Sequence, residues 1–150
     1  MLRERLEGGL LENRVILRYP DAAPLFDDSN YGNPVPEDNP LRLELDLFEA
    51  IYLVEKGRLN VVSVQGDKKV SHRTLALIDY GTRTQDGFLP KLTVYRDLRD
   101  RGYVVRTGFI YGAGFRVYER GVKMKRGPKE EGEHTAYIVC LLYTSPSPRD

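Results

Sequence analysis

The strongest constraint on the fold is a change in hydrophobic periodicity at Gly102. Before this glycine, residues 89–101 place apolar side chains three or four positions apart, which is typical of an amphipathic helix. The glycine itself is a common helix stop. After it, the apolar residues fall into short segments separated by glycine-rich turns, and these segments are predicted strands at residues 103–105, 109–111, 115–117 and 136–143. The second half of the chain is therefore predicted to be a helix followed by a β region.

The first half mixes strand and helix signals. Residues 10–19 and 41–45 are short and apolar or alternating, and a stretch rich in Pro, Asp, Asn and Gly separates them. They are predicted to be two strands flanking a loop over residues 20–40. Residues 59–64 (LNVVSV) are rich in β-branched side chains and lead to a Gly-Asp pair, which predicts a strand and a turn. Residues 71–80 have a helical pattern.

One helix start is marked by a specific motif. Asp46 precedes apolar residues at helical spacing, and Glu49 stands three positions later as its capping-box partner. Gly57 supplies the stop. A helix over residues 46–56 follows.

The predicted fold class is α+β, with two small domains. Gly, Thr, Gln and Asp accumulate over residues 82–88, which places the boundary there. Residues 1–84 are predicted to form an N-terminal αβ domain, and residues 85–143 a C-terminal domain. The last residues, 144–150, are polar, contain two prolines and lie outside either core. They are either a flexible tail or an artefact, in which case the natural sequence continues differently from about residue 140.

Composition excludes several classes of protein. With 41% hydrophobic and 30% charged residues, the chain is too apolar for disorder, and its apolar runs are too short to span a membrane. The N-terminus lacks the apolar segment of a signal peptide, so a cytoplasmic protein is predicted. A net charge of +1 means that any attraction to nucleic acid must be local. The single cysteine has no zinc-type spacing, and no hydrolase triad or phosphate-binding glycine motif is present. Neither a metal nor a cofactor is predicted.

The chain has only two histidines, which narrows any acid–base argument. His72 starts a predicted helix and is interpreted as a surface or capping residue. His134 stands at a loop-to-strand junction, where side chains are held in place yet reachable. Alone, His134 is more often structural than catalytic.

A local cluster of basic residues precedes His134. It comprises Arg116, Arg120, Lys123, Lys125, Arg126 and Lys129. A solvated loop and a phosphate-binding loop explain this pattern about equally well. The wider sequence context has to decide between them.

That context is an ordered series of segments. Residues 95–103 (YRDLRDRGY), 108–112 (GFIYG), 115–118 (FRVY) and 134–139 (HTAYIV) together resemble the catalytic domain of the archaeal tRNA-splicing endonucleases. In the first half, SNYG at 29–32, LEL at 43–45 and EAIYL at 49–53 are similar to the N-terminal domain of that family. The resemblance covers about residues 25–142. It implies a restriction-endonuclease-like C-terminal domain, in which a helix packs on a mixed β-sheet.

The resemblance also implies a site. Family members cut RNA at intron boundaries with a tyrosine, a histidine and a lysine and without a metal; the first two match Tyr118 and His134. The sixteen-residue separation between them is long for the family. The family's lysine follows the strand after the histidine and has no counterpart here. The chain is therefore expected to be truncated and slow or inactive.

The chemistry is consistent with these residue types. RNA carries its own nucleophile, the 2′-hydroxyl, so an enzyme need only move protons and stabilise charge on phosphorus. A histidine, with an ordinary pKa near about 6.5, suits the acid role. A tyrosine needs nearby positive charge to act as a base, and the basic residues around Tyr118 could supply it. The expected products, from precursor tRNA folded as a bulge-helix-bulge, are 2′,3′-cyclic phosphate and 5′-hydroxyl ends.

Two alternatives stay open. One is a structural subunit that binds RNA or a catalytic sister chain without cutting, and the other is an unrelated two-domain RNA-binding protein. The family assembles as dimers or tetramers, so self-association or a sister subunit is expected. An apolar edge strand at residues 136–143 predicts poor solubility.

Overall fold

The computed structural model describes residues 5–107, 114–123 and 137–140. The predicted strand at 109–111 and the tail at 144–150 lie outside these ranges. Within them the chain combines helices with β-sheets, which confirms the predicted α and β fold class. No helix in these ranges is long and apolar enough to cross a membrane.

The first half is built on a six-stranded sheet. Its strands are β1 (Leu6–Leu11), β2 (Arg14–Arg18), β3 (Asn33–Val35), β4 (Arg42–Asp46), β5 (Leu59–Gln65) and β6 (Lys68–His72). Their order is β3-β4-β2-β1-β5-β6. The pair β1–β5 is parallel, and all other neighbours are antiparallel. Side chains alternate between faces, so one face, which includes Val15, Leu17, Leu43 and Leu45, is buried in the core.

Three helices from the first half contribute to this core. They are α1 (Tyr19–Ser29), α2 (Leu47–Glu55) and, through Leu77, α3 (Thr74–Thr84). Helix α2 begins where predicted, because the Asp46 side chain accepts a hydrogen bond from the Glu49 backbone N–H at 2.9 Å and Glu49 Oε1 accepts one from the Asp46 N–H at 3.1 Å. Burial raises the pKa of the Asp46 carboxyl well above its usual range, and the Glu49 carboxylate beside it adds to this effect.

Three predictions for the first half were wrong. Residues 10–19 are not one strand, because β1 and β2 form a hairpin whose turn contains Glu12 at a φ of 56°. Residues 20–40 are not an extended loop, because α1 fills much of that stretch and buries an apolar stripe of its own. Residues 71–80 are not one helix: the chain pairs as β6 with β5 as far as His72, and α3 runs from Thr74 to Thr84.

The second half follows the predicted order more closely. Helix α4 (Phe88–Asp100) is followed by strands β7 (Val104–Arg106), β8 (Gly114–Tyr118) and β9 (Tyr137–Cys140). The three strands form an antiparallel sheet in the order β7-β8-β9. The predicted boundary between residues 84 and 85 falls between α3 and α4 and stays a prediction.

One aromatic cluster joins the two halves. The Phe48 ring on α2 stacks on Phe88 at 4.8 Å between centroids and meets Phe115 on β8 edge-on at 5.7 Å. Tyr52 contacts Tyr95 on α4 at 5.9 Å in a similar edge-on geometry. Because these rings are buried together, the helix and sheet of the second half are fixed against α2.

Candidate active site

Strand β8 determines where Tyr118 lies. Phe115 and Val117 on this strand are buried in the common core. Because side chains alternate along a strand, Arg116 and Tyr118 are on the opposite face. Tyr118 pairs across the sheet with Val104 on β7, and Arg116 pairs with Arg106. The candidate general base and one predicted RNA-binding arginine therefore share one face of the sheet.

Tyr118 is not open to solvent. Its residue exposure is 1%, although it stands at the end of its strand and outside the aromatic core. A 2′-hydroxyl could reach this phenol only if Tyr118 or its neighbours moved when RNA bound. The sequence alone gave no indication of this burial.

Arg116 is held in an unusual way. The residue as a whole is half-buried. Its Nε atom is completely buried and has no hydrogen-bond partner in the part of the chain that the structure describes. The residue paired with it across the sheet, Arg106 on β7, is also an arginine.

Arg106 is turned away from this face toward the first half of the chain. Its Nη1 donates to the Asn30 carbonyl oxygen at 2.6 Å, and its Nη2 donates to the Gly32 carbonyl oxygen at 2.7 Å. Nη2 also lies 2.5 Å from Asn33 Oδ1. These acceptors are neutral oxygens, and the Asp46 carboxyl adds an electrostatic attraction.

A second arginine, Arg99 on α4, holds the same loop. It is 7% exposed, and its guanidinium donates to the Ser29, Asn30 and Val105 carbonyl oxygens at 2.9, 3.0 and 3.3 Å. The guanidinium also stacks on the Tyr31 ring at 3.9 Å. Sequence reasoning missed Arg99 and Arg106. A signal for Arg99 did exist, because it continues the spacing of Phe88, Leu92 and Tyr95 on the buried stripe of α4.

The other predicted RNA-binding residues are only partly described. Arg120, in the turn after β8, donates from Nε to the Arg101 carbonyl oxygen at 2.6 Å and lies 4.8 Å from the Tyr103 ring. Lys123 is exposed. His134, Lys125 and Arg126 lie outside the described residues, so the distance between Tyr118 and His134 stays untested.

Among the described residues, no group of three His, Cys, Asp or Glu side chains lies close enough together to hold a metal ion.

The role predicted for the other histidine, His72, can be compared with the structure. His72 lies on β6, and its Nε2 is 2.7 Å from Ser63 Oγ on the neighbouring strand. It therefore takes part in a cross-strand contact within the sheet and does not begin a helix.

The fold and the strand β8 define a two-part α/β protein with a tyrosine and an arginine on one strand face of its second sheet. Comparison with family models identifies both parts. The model for the tRNA intron endonuclease N-terminal domain matches residues 6–76, and the model for the tRNA intron endonuclease catalytic C-terminal domain matches residues 88–146. The chain belongs to the tRNA intron endonuclease family.

Individual relatives agree with this assignment. A tRNA-splicing endonuclease of Methanothermobacter thermautotrophicus is 42% identical over 139 residues, which cover 92% of this chain and 72% of the relative. Those of Hyperthermus butylicus and Methanopyrus kandleri are 39% and 35% identical, over 79% and 91% of this chain. The chain spans 62% and 64% of the lengths of these two relatives.

Proposed function

We propose that this chain is a metal-independent endoribonuclease that cleaves precursor tRNA at intron boundaries in a bulge-helix-bulge. The observation that carries the proposal is the placement of Tyr118 beside Arg116 on β8, in a chain of this family. The relatives named above are tRNA-splicing endonucleases, which supports the substrate class.

The proposed reaction is a transesterification within the RNA. Tyr118 accepts the proton of the 2′-hydroxyl, and the 2′-oxygen forms a bond to phosphorus. The bond between phosphorus and the 5′-oxygen breaks, and His134 gives its proton to that oxygen. The products are a 2′,3′-cyclic phosphate and a 5′-hydroxyl, so no water or external nucleophile is consumed. Proton transfers of this kind each accelerate a reaction by about 10²–10⁴.

Positive charge from the basic residues around Tyr118 supports binding of the RNA backbone. Arg116, Arg120, Lys123, Lys125 and Arg126 are the proposed contacts. Of these, Arg120 and Lys123 are exposed in the turn that follows β8. Phosphate contacts position an RNA and contribute affinity without reading its sequence.

The test uses a precursor tRNA in which the 2′-hydroxyl at the cut site is replaced by hydrogen. Single-turnover assays with excess protein detect even slow cleavage. The normal substrate should be cut and the deoxy substrate should not, because its nucleophile is missing. Cleavage of both substrates, or of neither, contradicts the proposal.

The residue assignment needs its own variants. Tyr118→Phe and His134→Ala should each lower the cleavage rate by about 10²-fold or more. Tyr80→Phe on α3 and His72→Ala on β6 are matched controls, and they should retain the rate of the unmodified chain. Undiminished cleavage by both site variants would refute the assignment.

A second candidate function is a structural subunit that binds RNA or a catalytic sister chain without cutting. The burial of Tyr118 favours it, because a covered phenol can take a proton from RNA only after Tyr118 or its neighbours move. This candidate predicts that the chain binds precursor tRNA, that it does not cut it, and that Tyr118→Phe leaves the binding affinity unchanged.

Assembly as a dimer or tetramer is proposed for either function, and sedimentation equilibrium measures it. The cytoplasmic location stays a prediction.

A further inference from the structure

The Arg116 Nε atom is buried without an acceptor, and this needs a physical explanation. A buried donor that loses its hydrogen bonds to water costs about 1–3 kcal/mol, and more when it carries charge. Such atoms are rare in folded proteins, and their explanations include a catalytic role or an ion that completes the position. The Nε–H of Arg116 therefore lacks an acceptor, and hydrogen bonds from a guanidinium to an anion are among the stronger ones in proteins.

The described part of the chain does not meet that demand. Its ion pairs use other basic residues, including Arg14, Arg42 and Arg96, and none uses Arg116. The residue directly opposite, Arg106, is itself a cation and is engaged with carbonyl oxygens of the loop after α1. Arg116 and Arg106 occupy paired backbone positions on β8 and β7, but the Arg106 guanidinium is directed to that loop. No carboxylate of the described residues forms an ion pair with Arg116, so the charge at this position favours an anion.

The position of Arg116 indicates which anion fits. Arg116 and Tyr118 are two residues apart on one strand face, so their backbones are separated by about 7 Å. In RNA, the 2′-hydroxyl and the phosphate that it attacks belong to the same nucleotide linkage. Once the movement that exposes Tyr118 has taken place, a phosphodiester with its 2′-hydroxyl at Tyr118 brings its non-bridging oxygens within reach of the Arg116 side chain.

We propose that Arg116 donates hydrogen bonds to a non-bridging oxygen of the phosphodiester that is cut. The inference rests on the proposed function and gives Arg116 a different role from the other basic residues. Charge accumulates on these oxygens as the 2′-oxygen attacks, so a guanidinium there acts more strongly in the transition state than on the bound substrate. By contrast, the Arg120 Nε atom already has an acceptor, the Arg101 carbonyl oxygen, and its guanidinium lies over the Tyr103 ring.

The first experiment separates catalysis from binding. Arg116→Gln should lower the single-turnover rate at saturating protein by about 10²–10³-fold, because one hydrogen-bond donor to the transition state is lost. The protein concentration that gives half of the maximal rate should change much less. Arg116→Lys should restore part of the rate. The control is Arg83→Gln on α3, which removes an exposed arginine paired with Asp79. An unchanged saturating rate in Arg116→Gln overturns the inference.

A second measurement does not require cleavage. The dissociation constant for the 2′-deoxy precursor is measured at several salt concentrations for the unmodified chain, Arg116→Gln and Arg83→Gln. Loss of one phosphate contact should reduce the salt slope by about 0.7–0.9 in Arg116→Gln alone. An unaltered slope overturns the inference whether or not the chain cuts RNA. A reduced slope together with no cleavage by the unmodified chain supports the phosphate contact and contradicts the proposed function alone. Circular dichroism melting of each variant confirms that it is folded.

Discussion

Arg99 and Arg106 donate hydrogen bonds to the same atom, the carbonyl oxygen of Asn30, at 3.0 and 2.6 Å. Asn30 is fully buried and has a φ of 55°, in the left-handed region, at the end of α1. One arginine comes from α4 and the other from β7, so a single backbone oxygen joins three elements. Neither arginine forms a direct ion pair with a described residue. Carbonyl oxygens and the Tyr31 ring contact the Arg99 guanidinium, and the Glu49 carboxylate attracts it at longer range.

Arg99→Met should destabilise the fold by about 2–3 kcal/mol, because it leaves the Ser29 carbonyl oxygen without this charged donor and removes the stacking on Tyr31. Urea denaturation measures the change. The matched control is Arg101→Met, whose guanidinium forms an exposed pair with Asp97 on the same helix. That variant should change stability by less than about 1 kcal/mol. Equal effects of the two variants would contradict the structural role of Arg99.

Arg99→Met combined with Arg106→Met should cost more than the two single changes added together. Either arginine alone still satisfies the Asn30 oxygen, whereas the double variant leaves it buried without either guanidinium donor. Coupling between residues that share a partner is typically about 0.5–3 kcal/mol. A double-mutant cycle of unfolding free energies measures it, and strict additivity would argue against a shared acceptor.

Gly81→Ala should destabilise the chain by about 1–3 kcal/mol, although alanine is the better helix former. An added Cβ would lie 2.4 Å from the Phe88 ring, and that ring is already stacked on Phe48. Gly9→Ala on β1 is the control, because nothing lies within 4 Å of its added Cβ. Thermal unfolding of both variants compares them. A Gly81→Ala variant as stable as Gly9→Ala would show that Phe88 can move freely.

The free energy of unfolding of Asp46→Asn, relative to that of the unmodified chain, should increase as the pH rises. The folded-state pKa of Asp46 is raised above its unfolded value of about 3.9, so the unfolded chain binds fewer protons in that interval. The stability contributed by protonated Asp46 is therefore present at low pH and lost as pH rises through the folded pKa. Asparagine keeps an oxygen acceptor for the Glu49 N–H and carries no charge.

Unfolding free energies between pH 4 and 8 check this prediction. The difference between the asparagine variant and the unmodified chain should grow in favour of the variant across that interval and then level off. Asp46→Ala should be about 1 kcal/mol less stable than Asp46→Asn at each pH, because it lacks the cap. A difference that does not vary with pH would contradict the raised pKa.

Elements with strong local signals were predictable from sequence. The capping box at Asp46 and Glu49 located the start of α2, and the stripe that includes Leu92 and Tyr95 located α4. Helix α1 was missed because Pro20 and Pro24 suggested a loop. Pro20 lies in the first turn, where its missing N–H costs nothing, and burial of the apolar stripe outweighs the cost of Pro24. Local propensity does not include that tertiary contribution.

The candidate site was predictable to the same limited extent. The strand predicted at residues 115–117 is confirmed by β8, which also includes Tyr118, the residue that the family resemblance indicated. Its burial and the unsatisfied Arg116 depend on contacts across the sheet. The contacts of Arg99 and Arg106 with Asn30 join residues 69 and 76 positions apart through a backbone oxygen, so no side-chain pattern in the sequence records them.

The parallel pairing of β1 with β5 has a kinetic consequence. In the six-stranded sheet β1 is the one strand that joins β3-β4-β2 to β5-β6 by hydrogen bonds. Leu6 pairs with Leu59, so this pairing closes a loop of about 50 residues before it gains a contact. During translation, β1 is synthesised well before β5, its parallel partner. Until then, one edge of the β1–β2 hairpin is unpaired and available to other chains, and assembly of this sheet should be a slow step in folding.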